Sequence, residues 1–464
     1  MKNHMEKKHV TLKMDIYTPS DDKLKYKPVI IFAYGGGFVN GKRTEKSMVQ
    51  LCTEFAKRGF VTATIDYRLG MNLTDSELAK RAVYRALQDG RSAVRFFRKN
   101  ATTYNIDPNK IFISGHSAGG FLAIHNVYLN KDSERPASTR NYFGRLDLGR
   151  LDDIGENKYY KNGEKISGRA NGVMAMAGAI GELSYIENAS DIHGIYFHST
   201  DDSTVPFESG EPFSFLNWIP GINLPTVKGG GQIQKRSKNI GLKHVLNKYS
   251  GRGHSVHTNF FGNLHDDIIS ETAKFFYINF LKPSTGKILS INDNLKTKSS
   301  TDIQQYEIQQ SNATFYDWEI TGGKIINQND AKEKITIQWN ENSSKRAITV
   351  TPYSKHLAKG DELIFNINSN SYLITSKNKA NLFPNPAKHI INLKLNNEQS
   401  YQKEVLILIF NPLGQKILDK TINNLNKDNI IPLDISHLKS GIYIFKAITS
   451  DQSREIISKR IFIK

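Results

Sequence analysis

The chain has 464 residues, of which 38% are hydrophobic and 23% charged, and this balance excludes an intrinsically disordered protein. The length exceeds that of one ordinary domain, so we expect two or three. Lysine and arginine number 63 against 45 aspartates and glutamates, but no recognition-helix or aromatic-basic motif accompanies the net charge of +18. The scattered lysines therefore indicate a solvated basic surface and no nucleic-acid partner.

The cysteine content and the apolar runs limit the remaining classes. The single cysteine, Cys52, excludes an intramolecular disulfide and a zinc or haem motif, and its helical context predicts a place in the core. No apolar run is long enough for a transmembrane segment. Residues 1–9 lack the apolar stretch of a signal peptide, so this start, taken alone, predicts a cytoplasmic protein.

Strands and helices alternate over the first part of the chain. A segment from His9 alternates like an edge strand, the apolar run from Lys27 predicts a strand buried on both faces, and the next strand begins at Val61. Helices are predicted over about 44–58 and 75–100. This order predicts a mostly parallel sheet covered by helices, in which sites form at the carboxyl ends of the strands.

Two glycine-rich turns follow predicted strands. Gly35-Gly36-Gly37 leaves backbone amides uncovered, which suits an anion site, although a flexible loop is the alternative. Gly115-His116-Ser117-Ala118-Gly119 spells G-x-S-x-G between a strand and a helix. Such a turn strains its central residue, and the flanking glycines remove side chains that would clash. We expect Ser117 to be a nucleophile and the Ala118 amide to face the same space, with an ordinary Gly/Ser turn as the alternative.

The chain continues with an insertion and two further strand ends. Residues of about 129–169 have weak periodicity and predict a lid or binding insertion. Asp201 and Asp202 follow the strand from Ile192, and both are candidates to orient a histidine. His254 follows a glycine turn after the strand from Lys243.

His257 and His265 are rivals of His254, but both read as part of the following helix, which ends at Pro283. The candidates then follow in the order Ser117, Asp202 and His254. That is the Ser…Asp…His order of one fold class.

These residues resemble the α/β-hydrolase fold, within the carboxylesterase and lipase group, over about residues 10–284. Tyr34-Gly-Gly-Gly-Phe38 resembles the oxyanion motif of type-B carboxylesterases, and Gly115-His-Ser-Ala-Gly-Gly120 their nucleophile elbow. The spacing His198…Asp202…Val205-Pro206 is similar to the family pattern H-G-x-x-D-x-x-V-P and favours Asp202 over Asp201. Ser199 departs from it, because the family usually has glycine there.

The resemblance implies a serine carboxylic ester hydrolase that acts through an acyl-enzyme. Ser117, Asp202 and His254 would form its catalytic triad, and the amides of Gly36, Gly37 and Ala118 its oxyanion hole. No metal or organic cofactor is implied. The substrate would be an ester, with a polymeric ester as one option. A serine peptidase or amidase on the same fold, or an inactive adhesion module, are the alternatives.

The C-terminal third predicts three segments after a first domain over 1–284. Residues 285–312 are polar and predict a linker. Residues 313–375 alternate in short runs and resemble an Ig-like or PKD-like β-sandwich, with Trp318 in its core and a role as spacer or polymer binder. Residues 381–464 resemble the all-β type IX secretion sorting domain of Bacteroidetes.

Three motifs carry that last resemblance: Phe383-Pro-Asn-Pro-Ala387, Asn411-Pro-Leu-Gly-Gln-Lys-Ile and Leu438-Lys-Ser-Gly-Ile-Tyr-Ile-Phe445, together with the terminal strand that ends in Lys459-Arg-Ile-Phe-Ile-Lys464. The resemblance implies a type IX secretion machinery as partner and a secreted or cell-surface protein. Because export requires a signal upstream, we expect that the true start is missing or was removed.

Overall fold

A computed structural model describes residues 10–19, 24–291, 302–341, 343–367, 371–375, 380–385, 387–395, 405–410, 416–422, 430–449 and 455–463. The chain divides into two compact units. The first holds Met1–Pro283 and Tyr353–Ala358, and the second holds Ser284–Pro352 and Lys359–Lys464.

The first unit is built on a seven-stranded sheet. Its strands are β1 (Met14–Tyr17), β2 (Lys27–Ala33), β3 (Val61–Ile65), β4 (Ile106–His116), β5 (Gly172–Met176), β6 (Gly194–Ser199) and β9 (His244–Tyr249). Between β6 and β9, two short strands outside this sheet, β7 (Ser209–Gly210) and β8 (Val227–Lys228), pair with each other. They lie in the order β1-β3-β2-β4-β5-β6-β9. Only β1, at the edge, pairs antiparallel. The predicted mostly parallel sheet with an N-terminal edge strand is therefore confirmed.

Five helices accompany this sheet: α1 (Lys46–Ala56), α2 (Ser76–Lys99), α3 (Ala118–Tyr128), α4 (Gly230–Asn239) and α5 (Asp266–Phe276), which a π-helical turn continues over Tyr277–Leu281. Helix α2 begins where the Asp75 carboxylate accepts the amides of Glu77 and Leu78, at 2.9 and 3.1 Å. No helix in the described part of the chain has the length and hydropathy that a membrane crossing requires.

The core of the first unit lies on both faces of the sheet. Every residue of β2, β3 and α3 is buried, which explains why their sequences are mostly apolar. Cys52 lies in α1 with its side chain buried, so its predicted place in the core is confirmed. Together, the parallel sheet and its helices confirm the predicted α/β-hydrolase fold class.

The insertion of residues 129–169 is anchored on α2 by arginine side chains. It contains two short 3₁₀ turns and no longer helix. Arg91 and Arg95 both reach the Asp152 carboxylate, at 3.3 and 2.8 Å, and Arg81 donates to the carbonyl oxygen of Leu146 at 2.7 Å. All three arginines are buried. Charge-assisted hydrogen bonds thus hold a segment that lacks a hydrophobic periodicity of its own.

The second unit begins with a β-sandwich. Its strands are β10 (Lys287–Ser290), β11 (Asp302–Gln309), β12 (Phe315–Thr321), β13 (Gly323–Gln328), β14 (Lys334–Trp339), β15 (Ala347–Tyr353), β16 (Glu362–Asn366) and β17 (Ser371–Thr375). They form two sheets, β10-β11-β14-β13 and β12-β15-β16-β17. Both sheets contribute to one core around the buried Trp339 and Tyr306, and Trp318 packs against it half-buried. This agrees with the predicted all-β module.

The prediction of a linker over 285–312 is wrong at the residues that form two of these strands. Strands β10 and β11 fall inside that range and pair with each other. The strand signal is weak because most residues of β11 are polar. Even so, Tyr306 and Ile308 alternate with Gln305 and Glu307, and both of these apolar side chains are buried. The polar residues of β11 thus obscured the alternating pattern that indicates a strand.

The rest of the second unit also consists of strands. They are β18 (Ala380–Phe383), β19 (Ile390–Leu395), β20 (Val405–Phe410), β21 (Lys416–Ile422), β22 (Ile430–Asp434), β23 (Gly441–Thr449) and β24 (Glu455–Ile463). Two sheets, β18-β19-β22 and β21-β20-β23-β24, share one apolar core. The predicted all-β character is confirmed. Of the predicted sorting motifs, residue 386, residues 411–415 and residue 464 lie outside the described residues.

Candidate active site

Ser117 occupies a strained turn between β4 and α3. Its φ of 55° and ψ of −119° are unfavourable for a residue with a side chain, and its amide donates to the carbonyl oxygen of Met176 at 2.9 Å. A Cβ atom on Gly115 would lie 2.3 Å from the carbonyl carbon of Gly119, and one on Gly119 would lie 2.0 Å from the Ala33 oxygen. Both positions therefore require glycine, as the motif predicts.

The structure brings Ser117, His254 and Asp202 together from three strand ends. The Nε2 atom of His254 lies 2.9 Å from Ser117 Oγ. Its Nδ1 atom lies 2.9 Å from Asp202 Oδ2 and 3.1 Å from Oδ1. The imidazole thus stands between a hydroxyl and a carboxylate at hydrogen-bond distance from both. This arrangement lets the ring take the hydroxyl proton while the carboxylate fixes the opposite nitrogen.

Asp202 is buried and fully engaged. Its Oδ1 atom accepts the amides of Thr204 and Val205, both at 2.9 Å. Burial by itself raises the pKa of the Asp202 carboxyl, but hydrogen bonds from His198, His254 and the Val205 amide outweigh it and hold that pKa well below its usual range. The carboxylate therefore stays ionised at neutral pH.

The rival candidates lie elsewhere. Asp201 accepts the backbone amide of Gly251 at 2.9 Å, on the loop before His254. His257 lies buried in a turn rather than in the predicted helix, with its Nε2 atom 2.9 Å from Ser47 Oγ. His265 is the N-cap residue of α5. None of these three side chains lies between Ser117 and Asp202.

The glycine triplet turns beside Ser117. The carbonyl oxygen of Gly36 accepts the amides of Val39 and Asn40, and its φ of +114° leaves no space for a Cβ atom, which would lie 2.3 Å from the Asn40 oxygen. Gly37, with a φ of +63°, and Ala118 both line the cavity that contains Ser117. Gly36 shapes the turn, so that Gly37 faces the cavity.

Two further histidines contact the arrangement, and the sequence motifs assign them no role. His116 Nε2 lies 3.0 Å from the carbonyl oxygen of His254, to which it donates. His198 accepts the Gly230 amide at its Nδ1 atom, at 3.1 Å, so the proton is assigned to Nε2, 3.3 Å from Asp202 Oδ2. Burial lowers the pKa of His116 to about 4, with the nearby His254 charge as a second cause. The motif around Asp202 already contained His198, whereas nothing in the sequence singles out His116.

Ser117 opens into a cavity of about 510 Å³, a volume typical of small-molecule sites. Most of the side chains around it are apolar. They include Met71, Leu73, Val83, Leu87, Phe121, Leu129, Val205, Phe213 and Leu224. Residues 133–136 of the insertion also line the cavity, so this segment contributes to the binding space. Its charged members include Glu134 and Arg135.

Two family models match the chain. The BD-FAE model matches residues 14–215, and the secretion system C-terminal sorting domain model matches residues 381–464. The neuroligin-like protein glit-1 of Caenorhabditis elegans is 36% identical over 23% of this chain and 14% of its own length. The probable isoprenylcysteine alpha-carbonyl methylesterase ICME of Oryza sativa subsp. japonica is 32% identical over 24% of each chain. The aligned part spans a quarter or less of these curated relatives.

Among solved structures, the apo form of esterase 2 from Thermogutta terrifontis is 25% identical, and the match covers 59% of this chain and 92% of that one with a TM-score of 0.41. Residues 14–215 are similar to the BD-FAE domain, an α/β-hydrolase esterase domain, and residues 381–464 match a secretion-system C-terminal sorting domain.

Proposed function

We propose that this protein hydrolyses carboxylic esters through an acyl-enzyme on Ser117. One observation carries the proposal: Ser117, His254 and Asp202 form a continuous line of hydrogen bonds, at 2.9 Å each, beside an apolar cavity. The BD-FAE match and a relative named as a methylesterase support the class of reaction. Ester hydrolysis needs a nucleophile, a base and an anion-stabilising site, and this edge of the sheet contains candidates for all three.

The steps follow from the positions of these atoms. His254 Nε2 accepts the Ser117 proton while Oγ forms a bond to the ester carbonyl carbon, and Asp202 stabilises the resulting imidazolium. The tetrahedral intermediate collapses, the alcohol leaves with the proton from His254, and Ser117 keeps the acyl group. Water then attacks the acyl carbon with His254 as its base, which releases the acid and restores Ser117.

Backbone amides stabilise the negative oxygen of both intermediates. The amides of Gly37 and Ala118 are the best-placed candidates, because both residues line the cavity beside Ser117. Gly36 is the third expected donor. Removal of one such donor typically costs about 3 kcal/mol of transition-state stabilisation.

The cavity favours esters whose bound group is apolar and small. Its volume of about 510 Å³ and its aliphatic and aromatic lining suit an acyl or alcohol group that loses its water shell on binding. The same nucleophile also permits amide hydrolysis, which an ester-versus-amide panel with matched acyl groups distinguishes. A role on an insoluble polymer remains a separate hypothesis about the β-sandwich around Trp318.

We also propose that the protein is secreted or displayed on the cell surface through a type IX secretion machinery. The match of residues 381–464 to a secretion-system sorting domain supports this proposal. That machinery would recognise the sorting domain and remove it after transport across the outer membrane.

The test uses Ser117→Ala in the full chain, with Ser114→Ala as its control. Ser114 lies in β4, the strand that leads into Ser117, and is also buried, and its hydroxyl has no hydrogen-bond partner in the described part of the chain. We expect Ser117→Ala to lose hydrolysis of short p-nitrophenyl esters by several orders of magnitude and to lose labelling by a fluorophosphonate. Ser114→Ala should keep both. A Ser117→Ala variant with more than about a tenth of the wild-type rate would refute the assignment.

A further inference from the structure

The loop that presents His254 is held through three successive backbone amides. Asp201 Oδ1 accepts the Gly251 amide at 2.9 Å, and Asp201 Oδ2 accepts the Gly253 amide at 3.3 Å. Between them, Ser199 Oγ accepts the Arg252 amide, also at 3.3 Å. Every residue from Gly251 to Gly253 therefore has its amide bound by one of two side chains at the end of β6.

The backbone conformation makes this possible. Gly251 has a φ of +81° and Gly253 a φ of +53°, so neighbouring amides turn toward the same side. Such a concave row of N–H groups is an anion-binding feature of proteins, and here the anion is the Asp201 carboxylate. The Ser199 hydroxyl donates to Asp201 Oδ1 while it accepts from Arg252, so the two side chains act as one acceptor group.

We propose that Ser199 and Asp201 are positioning residues that set the place of His254 relative to Ser117. This inference rests on the proposed function. His254 has its ring bound by Asp202, its carbonyl oxygen bound by His116, and the amides before it bound by Ser199 and Asp201. Without the amide contacts, the His254 ring keeps its hydrogen bond to Asp202, but the loop of residues 251–253 loses the contacts that fix its position.

The exposure of Asp201 separates this role from a stabilising one. Both Asp201 and Gly251 are exposed, so water competes for the two groups of their hydrogen bond. Exposed pairs of this kind contribute little to the free energy of unfolding. By contrast, a displacement of about 1 Å in a reacting group can cost about a hundredfold in rate. The expected signature is a loss of turnover without a matching loss of stability.

The experiment compares Asp201→Ala, Asp201→Asn and Ser199→Ala with wild type in the full chain. Asp201→Ala should lower kcat for a short p-nitrophenyl ester about 10- to 100-fold, with KM within about twofold and Tm within a few degrees. Asp201→Asn should recover most of kcat, because its amide oxygen can still accept from Ser199 and Gly251. Ser199→Ala should lower kcat less than Asp201→Ala, and the two changes should combine less than additively, since Ser199 binds Asp201.

The control is Glu54→Ala, which removes an acid of α1 that pairs with Lys57 and Arg58 and should leave kcat unchanged. A rate for Asp201→Ala within about twofold of wild type, or a fall in kcat with a Tm loss of many degrees, would overturn the positioning role. Failure of the proposed function looks different: the wild-type chain itself would then show neither ester turnover nor labelling of Ser117 by a fluorophosphonate. Wild-type labelling with unchanged labelling rates in all three variants refutes the positioning role alone.

Discussion

Replacement of Asp202 by asparagine tests the proposed triad most sharply, because the structure dictates how the new side chain must orient. The Oδ1 atom of Asp202 accepts the amides of Thr204 and Val205, so in Asp202→Asn the amide oxygen takes that place. The NH₂ group then replaces Oδ2, 2.9 Å from His254 Nδ1. It also faces His198 Nε2, which the Gly230 amide holds as a donor.

The consequence is a reversed histidine tautomer. An NH₂ group donates to His254 Nδ1, so the ring proton moves to Nε2, which then points a proton at Ser117 and cannot accept one. Loss of the carboxylate in this role costs about 10⁴ in kcat in the serine protease where it has been characterised. That factor corresponds to about 5 kcal/mol of activation free energy. We expect a similar loss here, with little change in KM.

The assay is steady-state hydrolysis of a soluble short-chain p-nitrophenyl ester, with circular dichroism to check folding. Asp201→Asn is the matched control, because it removes the same charge one residue away and should cost far less. If Asp201→Asn lost more activity than Asp202→Asn, the orienting acid would be Asp201 and the tautomer argument would fail.

Three further outcomes follow from the same structure. Gly119→Ala should cost about 1–3 kcal/mol of unfolding free energy and most of the activity, because its Cβ would lie 2.0 Å from a β2 carbonyl oxygen. Gly120→Ala, whose Cβ would lie 3.0–3.3 Å from backbone atoms, should cost less than Gly119→Ala in both thermal melts and assays. Burial lowers the pKa of His116 and of His125 to about 4. The stability that these neutral rings provide is therefore complete above about pH 6.5 and is lost as the pH falls toward 4. Urea unfolding should give a smaller free energy of unfolding at about pH 4.5 than at about pH 7, and equal values would contradict this prediction. Deletion of residues 381–464 should keep esterase activity in cell extracts but abolish its export in a host with a type IX machinery, and continued export would refute the sorting role.

The sequence was most informative where the hydrophobic pattern was strong. Strands β2 and β3 are buried on both faces and read as apolar runs, and α2 has caps at both ends. By contrast, β11 was missed, because it has few apolar residues and its Gln and Glu residues resemble a linker. A single strand of that composition becomes recognisable only when its partner strands are known.

Some residues of the candidate site can be predicted from their neighbours in the sequence, whereas others depend on contacts between distant parts of the chain. The nucleophile turn is a local motif, so Ser117 and its two glycines could be predicted from adjacent residues. The contacts that support His254 join residues far apart in the chain, such as His116 and Ser199, and no local pattern specifies them. Ser199 drew notice only as a departure from a family pattern. Its contact with Arg252 depends on β6 and β9 being neighbours in the sheet.

The proposed nucleophile and the proposed anion-stabilising turn are joined by a close backbone contact, so the glycines of the motif matter as well as its serine. The strained backbone of Ser117 costs of order 1–3 kcal/mol, which the complete burial of α3 offsets. Gly119, at the start of α3, packs directly on the carbonyl end of β2, the strand that leads into Gly36 and Gly37. Any displacement of α3 from β2 therefore moves the Ser117 hydroxyl and the Gly37 amide apart. Because both groups must meet the same substrate carbonyl, the close contact at Gly119 sets the distance on which the proposed reaction depends.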